Sequence, residues 1–317
     1  MPLSRRAALA IGLLPSLAQA QDYPARPPRL LVGFPPGSAA DLSARLIAPA
    51  LGQALGQAII VENRPGAGSN IAAAQAVRAP PDGYTLLLGT TANTINSSLQ
   101  RDLTFDFARD LAPVAPIASV PNLLVVHPSV PANNVAEFIA LARTEQLFFG
   151  SSGIGTGPHL SGELFNLMTG ARMTHVPYLG SGQAVTDLLA GRVGVIFSPA
   201  STVIQHVRAG RLRGLASCGA TRTAAAPELP TMIEAGLAGF QSSVWFGLMA
   251  PGATPTPIVA RLAEAVRAAL NTGDTRTQFT AQGFDVLEGG PTEMAQLIAE
   301  ETTKWAQVVE ASGVRSN

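Results

Sequence analysis

One cysteine and one lysine stand among the 317 residues. A lone Cys218 excludes an intrachain disulfide, and its apolar setting (LRGLASCGA) suits a buried small residue better than a nucleophile. Lys304, next to Trp305 in the last helical pattern, is out of place for a phosphate-gripping loop or a cofactor Schiff base, so no cofactor is expected. The four histidines (127, 159, 175 and 206) are scattered, with neither H-E-x-x-H nor Cys/His ligand spacing, so no metal site is expected. No G-x-S-x-G elbow occurs; the run GSSGI at 150–154 lacks the final glycine. No apolar run reaches the ~18 residues of a membrane span. Together these shortages count against enzyme chemistry, leaving catalytic turnover as the remote alternative.

What the chain does have is apolar mass and loops: 47% hydrophobic residues, 13% charged, 31 Gly and 25 Pro. Its length suits about two domains of ~150 residues, each able to bury its own core. Residues 1–20 read as an export signal: Arg5 and Arg6, a short apolar stretch, then Ala18-Gln19-Ala20 as a cleavage site, with Gln21 beginning the mature chain. Ser4-Arg5-Arg6 resembles a twin-arginine start, but the rest of that pattern is missing and the general secretory route is favoured. The mature chain is expected to be exported. Loss of Arg5 and Arg6 leaves 19 basic against 21 acidic residues, which gives no footprint for nucleic acid or an anionic membrane.

Short apolar strands are expected at 28–34, 58–62 and 84–89, alternating with helices, one of them kinked at Pro49. In residues 111–128 two apolar strands separated by Pro121-Asn122 suggest a crossing between lobes. A second strand–helix series follows to residue 217, and residues 227–255 suggest the return crossing, with a strand at 245–250. Helices at 256–271 and 292–311 close the chain. The predicted architecture is α/β and two-lobed, each lobe a mostly parallel sheet flanked by helices. One lobe comprises residues 21–122 with 238–317 and the other residues 123–237, with a ligand cleft between them.

Two segments share one design. LLVGFPPGSAAD (residues 30–41) and LFFGSSGIGTGPHL (residues 147–160) each run from apolar strand through a Gly-rich loop into a helix start. Such a loop gathers free backbone N–H groups and the positive end of a helix dipole, which suits an anion. In the first, Phe34, Pro36, Gly37, Ser38, Ala39 and Asp41 are candidate ligand contacts, although Ser38 and Asp41 also fit a helix cap. In the second, Ser152, Gly155, Thr156 and His159 are candidates, and Pro158 stands where a third glycine of G-x-G-x-x-G would fall, which disfavours a dinucleotide. Thr90, Thr91 and Asn93 after the third strand, Tyr178, and Ser198 complete the candidates, because ligands of open α/β sheets lie beyond the carboxyl ends of strands. Residues 62–68 read as loop-fixing structure first.

The ordered set VGFPPGSAADLSARLIAPAL, GQAIIVENRPGAGSNIAAAQA, PPDGYTLLLGT, GIGTGPHLSGELF, HVPYLGSGQAVTDLLAGRV, LRGLA, ELPTMIEAG and WFGLMAPGATP resembles the tripartite tricarboxylate transporter substrate-binding proteins, the Bug family, over roughly residues 24–310. The resemblance implies a periplasmic type II-like binding-protein fold, a small organic carboxylate as ligand, and the large and small membrane subunits of a tripartite permease as partners. It also implies that residues 34–40 and 152–159 hold the carboxylate, largely through backbone groups and ordered water. The chain departs from the family pattern at Ser38 (usually glycine), at Leu179 (usually basic) and at Gly194 (usually aspartate, at the lobe interface). A monomer without catalytic residues is expected. A ligand-sensing module for a signalling system is the alternative, and lack of an arginine clamp leans toward a monocarboxylate or aromatic carboxylate over citrate.

Overall fold

The computed structural model describes residues 23–100 and 102–315. The expected export signal and its cleavage site lie outside the described residues.

The chain opens with β1 (Arg29–Val32), whose Leu30, Leu31 and Val32 are fully buried, as befits a strand covered on both faces. α1 (Ala39–Leu55) follows, buries Ala44, Ile47, Leu51 and Leu55 along one stripe, and ends at Gly56 in the left-handed conformation. Pro49 lies on its exposed side, and the helix runs on through it as one element. Next come β2 (Ile60–Asn63), α2 (Asn70–Val77) and β3 (Thr85–Thr90), with β2 and β3 parallel to β1 on either side of it. α3 (Thr91–Leu99) and the short α4 (Phe107–Asp110) lead to β4 (Leu111–Val126).

The second series is α5 (Val135–Thr144), β5 (Phe148–Ser151), α6 (Gly157–Thr169), β6 (Thr174–Pro177), α7 (Ser181–Leu189), β7 (Val195–Pro199), α8 (Ala200–Arg208) and β8 (Arg213–Ser217). β5 lies parallel between β6 and β7. The chain returns through β9 (Ser243–Pro251) and ends with α9 (Thr256–Leu270), α10 (Gly273–Ala281), β10 (Asp285–Val286) and α11 (Pro291–Ser312).

The strands form one continuous curled sheet in the order β2-β1-β3-β9-β4-β7-β5-β6, with β8 and β10 also paired to β4. The outer three strands at each end are parallel, as expected, whereas the long central β9 and β4 are antiparallel to their neighbours. β4 corrects the expectation of two separate strands. It is a single 16-residue strand that changes partners: residues 111–121 pair with β9, and residues 122–126 pair with β7. Pro121 does not break the ladder, because the next N–H, that of Asn122, donates to Ser242 O at 3.1 Å.

Separate apolar clusters support the two ends of the sheet. Phe138, Phe149, Phe165, Phe197 and Phe240 pack around β5 and β7, while Leu31, Leu87, Phe107, Trp245 and Met249 pack between β1, β3 and β9. The largest cluster runs through the middle from Ile47 to Ile196 and Val203. This layout brings five strand-to-helix turns to one place: β1 into α1, β3 into α3, β5 into α6, β6 into α7, and β7 into α8.

Candidate functional site

Those five turns enclose a chamber of about 340 Å³, its open side included. Ser38, Ala39 and Ala40 reach it from the start of α1, Thr90 and Ala92 from α3, and Thr156, Gly157 and Pro158 from α6. Ser181 comes from α7 and Pro199 from α8, while Phe34, Val244 and Phe246 supply apolar wall. A helix start carries first-turn N–H groups without intrahelical acceptors and the positive end of the helix dipole. In the first turn of α1, the Asp41 N–H is taken by Ser38 Oγ at 3.3 Å, which leaves those of Ala39 and Ala40 as donors. Among the described residues, no Lys, Arg, His, Asp or Glu side chain lines the chamber. Its positive field therefore comes from backbone, so the missing arginine clamp does not by itself decide between one carboxylate and two.

Outward of the chamber lies a wider cleft of about 1380 Å³ that shares Phe34 and Ser152 with it. Gly66, Ala67 and Gly68 line one side, and Gly153, Ile154, Pro177, Tyr178 and Leu179 the other. The two sides touch around Asn96 of α3. Its Nδ2 donates to Gly68 O at 3.1 Å, and a Cβ added to Gly155 would stand 2.1 Å from its Oδ1. Gly155 and Gly68 also have φ of +71° and +59°, conformations that glycine adopts without strain.

Of the expected contacts, Phe34, Ser38, Ala39, Thr90, Ser152 and Thr156 line the chamber. The others are placed elsewhere, each for a visible reason. Pro36 and Gly37 face solvent, and the Gly37 N–H already donates to Asp41 Oδ2 at 2.9 Å. Asp41 is buried away from the chamber and also accepts from Arg45 Nε at 2.9 Å and Asn63 Nδ2 at 2.9 Å. Burial alone would raise its pKa, but the hydrogen bonds from Arg45, Gly37 and Asn63 outweigh it and hold the carboxyl below its ordinary range. Asn63 Nδ2 also donates to Phe34 O at 3.0 Å, so Asp41, Arg45 and Asn63 together fix the loop.

Thr91 Oγ1 accepts the Trp245 N–H at 2.9 Å and ties α3 to β9, and Asn93 Oδ1 accepts the Thr90 N–H at 3.1 Å. Ser198 Oγ is paired with Thr202 Oγ1 at 2.9 Å. Gly155 packs on Asn96, and its N–H donates to His159 Nδ1 at 3.2 Å. His159 is thus a buried brace behind the loop; burial, reinforced by neighbouring His175, lowers its pKa to about 3 and keeps it neutral. Tyr178 lines the outer cleft, and its hydroxyl donates to Asp187 Oδ2 at 2.9 Å. Burial and that bond push the phenol up to about 12.

The departures separate likewise. Ser38 is in the chamber, and Leu179, 68% exposed, is on the cleft rim. Gly194 lines neither; its carbonyl accepts the His127 N–H at 2.9 Å beside the start of β7. The sequence pointed to residues 34–40 and 152–159, which include Ala40, Gly157 and Pro158, but not to Ala92, Ser181, Pro199, Val244 or Phe246. The helix start expected after β6 carried a signal for Ser181, whereas Pro199 runs from β7 straight into α8 with no loop to mark it. Nothing local marked Val244 or Phe246.

Two α/β halves joined through long antiparallel strands, with helix starts facing across a cleft, define a solute-binding protein of the periplasmic type II-like fold. The chain belongs to the tripartite tricarboxylate transporter family of receptors, whose family model matches residues 43–314. Protein BugT of Bordetella pertussis is 37% identical over 300 residues, spanning 93% of this chain and 92% of that protein. The solved structure of R. palustris Rpa4515 with adipate superposes with a TM-score of 0.89 at 38% identity, covering 93% of this chain and 99% of that one. MatC (Rpa3494) from Rhodopseudomonas palustris with bound malate gives 0.86 at 34% identity, covering 90% and 100%. No helix among the described residues is long and apolar enough to cross a membrane.

Proposed function

We propose that this chain is a periplasmic solute-binding protein that captures a small organic carboxylate and delivers it to the membrane subunits of a tripartite transporter. The carrying observation is the chamber itself: five helix starts converge on a space that no charged side chain of the described residues lines. Adipate in Rpa4515 and malate in MatC support the ligand class. In this reading one lobe comprises residues 21–122 with 238–317, and the other residues 123–237. The carboxylate is held by the Ala39 and Ala40 N–H groups from the first lobe and by the start of α6 from the second. Ser38, Thr90, Ser152 and Thr156 surround it.

The protein performs no chemistry on the ligand. It acts as a monomer, reaches the periplasm through its N-terminal signal, and presents the ligand-stabilised closed form to the permease. A thermal-unfolding screen of the chain from Gln21 against organic acids and their amides tests the reading. A bound acid at ~100 times its Kd adds ~2.7 kcal/mol, a shift of several degrees, while its amide gives none. Silence of a refolded, ligand-stripped preparation across all acids would reject carboxylate capture.

A further inference from the structure

Asn96 lines neither the chamber nor the outer cleft, yet it is fully buried and both ends of its amide are in use. Its Nδ2 donates to Gly68 O at 3.1 Å, and its Oδ1 accepts from Gln100 Nε2 at 3.3 Å. Gln100 Oε1 in turn accepts from Asn70 Nδ2 at 2.9 Å. Three amides thus bind the end of α3 to the segment that leads into α2.

That segment is strained. Gly66, Ala67, Gly68 and Ser69 have φ of +135°, +47°, +59° and +78°, and two of the four are not glycine. Ser69 gains no hydrogen bond from this: its Oγ is buried without a partner among the described residues, 2.0 Å from where a Cβ on Gly33 would stand. Such backbone persists where the surrounding structure imposes it, and it clusters at ligand clamps.

What the segment meets is the second Gly-rich loop. A Cβ on Gly68 would stand 3.3 Å from Ile154 O, and one on Gly155 would stand 2.1 Å from Asn96 Oδ1 and 3.1 Å from Leu99 Cδ2. Behind this contact Ile95 and Leu99 of α3, Leu160 of α6 and Trp305 of α11 form an apolar cluster of their own, each at most 5% exposed. The start of α6 supplies Thr156, Gly157 and Pro158 to the chamber. It is therefore seated on α3 and α11, which belong to the other lobe in the proposed division.

We propose that Asn96 is a positioning residue for ligand capture: it couples the strained 66–69 segment to Gly155 across the two lobes and so sets how long the closed form holds its ligand. The proposal rests on the reading of the chamber as a carboxylate site. Entry takes place with the lobes apart, before the Asn96 contact exists, whereas release must break it. Loss of the contact therefore speeds dissociation and leaves association nearly unchanged.

Surface plasmon resonance on the immobilised chain from Gln21 gives both rates for malate and adipate, the acids bound in MatC and Rpa4515. Asn96→Ala is expected to raise the dissociation rate roughly tenfold and to change the association rate less than about threefold. Gly68→Ala perturbs the same contact from the other side, with its methyl group 2.6 Å from Asn96 Nδ2, and is expected to act in the same way. In the Asn96→Ala background the added cost of Gly155→Ala falls to about threefold or less, because the carboxamide it would meet is gone. Hydrogen exchange without any acid gives a readout free of the ligand: amides of residues 152–158 exchange roughly tenfold faster in Asn96→Ala, while those of β1 and β7 do not change. Unfolding midpoints confirm that the variants fold.

Dissociation unchanged in both variants, a fall in association that accounts for the lost affinity, additive costs at 96 and 155, or unchanged exchange overturns the coupling and leaves carboxylate capture standing. Failure of both acids to bind the unsubstituted protein counts against the carboxylate reading instead, and the exchange rates then decide the coupling by themselves.

Discussion

The imidazole rings of His159 and His175 stack with centroids 3.9 Å apart and planes 23° from parallel. His159 Nδ1 accepts the Gly155 N–H, and His175 Nε2 is 2.6 Å from Ser151 Oγ, so the pair holds both ends of the second Gly-rich loop. Glu163 is the nearby carboxyl, with Oε1 at 3.7 Å from His159 Nε2, and burial raises its pKa.

Burial lowers His175 to about 4 and, with the field of His175 added, His159 to about 3. The unfolded chain takes up these protons near pH 6.5 and the folded protein does not, so stability falls as pH drops from about 6.5 toward 4. Each histidine contributes up to ~1.4 kcal/mol per pH unit in that window and nothing above it. Unfolding midpoints measured between pH 7.5 and 4.5 are expected to be flat above 7 and to decline below 6.5, with a shallower decline in His159→Gln. A midpoint independent of pH down to 4.5 would contradict the buried neutral pair.

Gly155 is the tightest contact between the loop and α3. Alanine there meets Asn96 Oδ1 at 2.1 Å and also takes a φ of +71°. Gly155→Ala is expected to weaken binding of the best acid from the screen at least tenfold, because the closed form must open to accommodate the methyl group. Gly170→Ala, also at φ +71° but with nothing within 4 Å, is its control: it lowers the unfolding midpoint and leaves affinity unchanged.

Asp41 acts as a cap and loop anchor. Asp41→Ala removes acceptors from Gly37, Arg45 and Asn63 and is expected to cost roughly 1–2 kcal/mol, read as a fall of a few degrees in the unfolding midpoint. Its carboxylate does not line the chamber, so the expected loss of ligand affinity is under threefold, measured by the same titration.

Cys218 lies beside the crossing, its N–H donating to Asn122 O at 2.8 Å and its carbonyl accepting from Ser242 at 2.7 Å. Burial pushes its thiol far above the ordinary range, offset only slightly by a hydrogen bond at Leu124. A thiol reagent at pH 8 is expected to label the native protein at a rate limited by unfolding, and to label it fully within minutes in denaturant. Prompt labelling of the native protein would show that the crossing opens on its own.

Much of the fold was legible because apolar runs bounded by Gly and Pro read as strands: residues 84–89 anticipate β3, and residues 147–150 anticipate β5. α3 was not legible, because TANTINSSL is polar yet buries Thr91, Asn93, Thr94 and Asn96, and polarity in a sequence reads as exposure. α8 escaped because it starts directly at Pro199, with no loop after β7. Asp41 and His159 were drawn into the site by proximity in sequence, although their side chains turn behind the loops that carry them.

The sequence by itself determined the two Gly-rich strand-to-helix turns, the α/β alternation and the apolar strands, since all depend on neighbours a few residues apart. Only the tertiary structure decided which side chains come together: the wall of Val244 and Phe246, the two histidines stacked out of the chamber, and β4 continuing through Pro121 by exchanging partners. Those outcomes depend on pairings between residues tens to more than a hundred positions apart, selected by sheet register and close packing, and no local pattern encodes them.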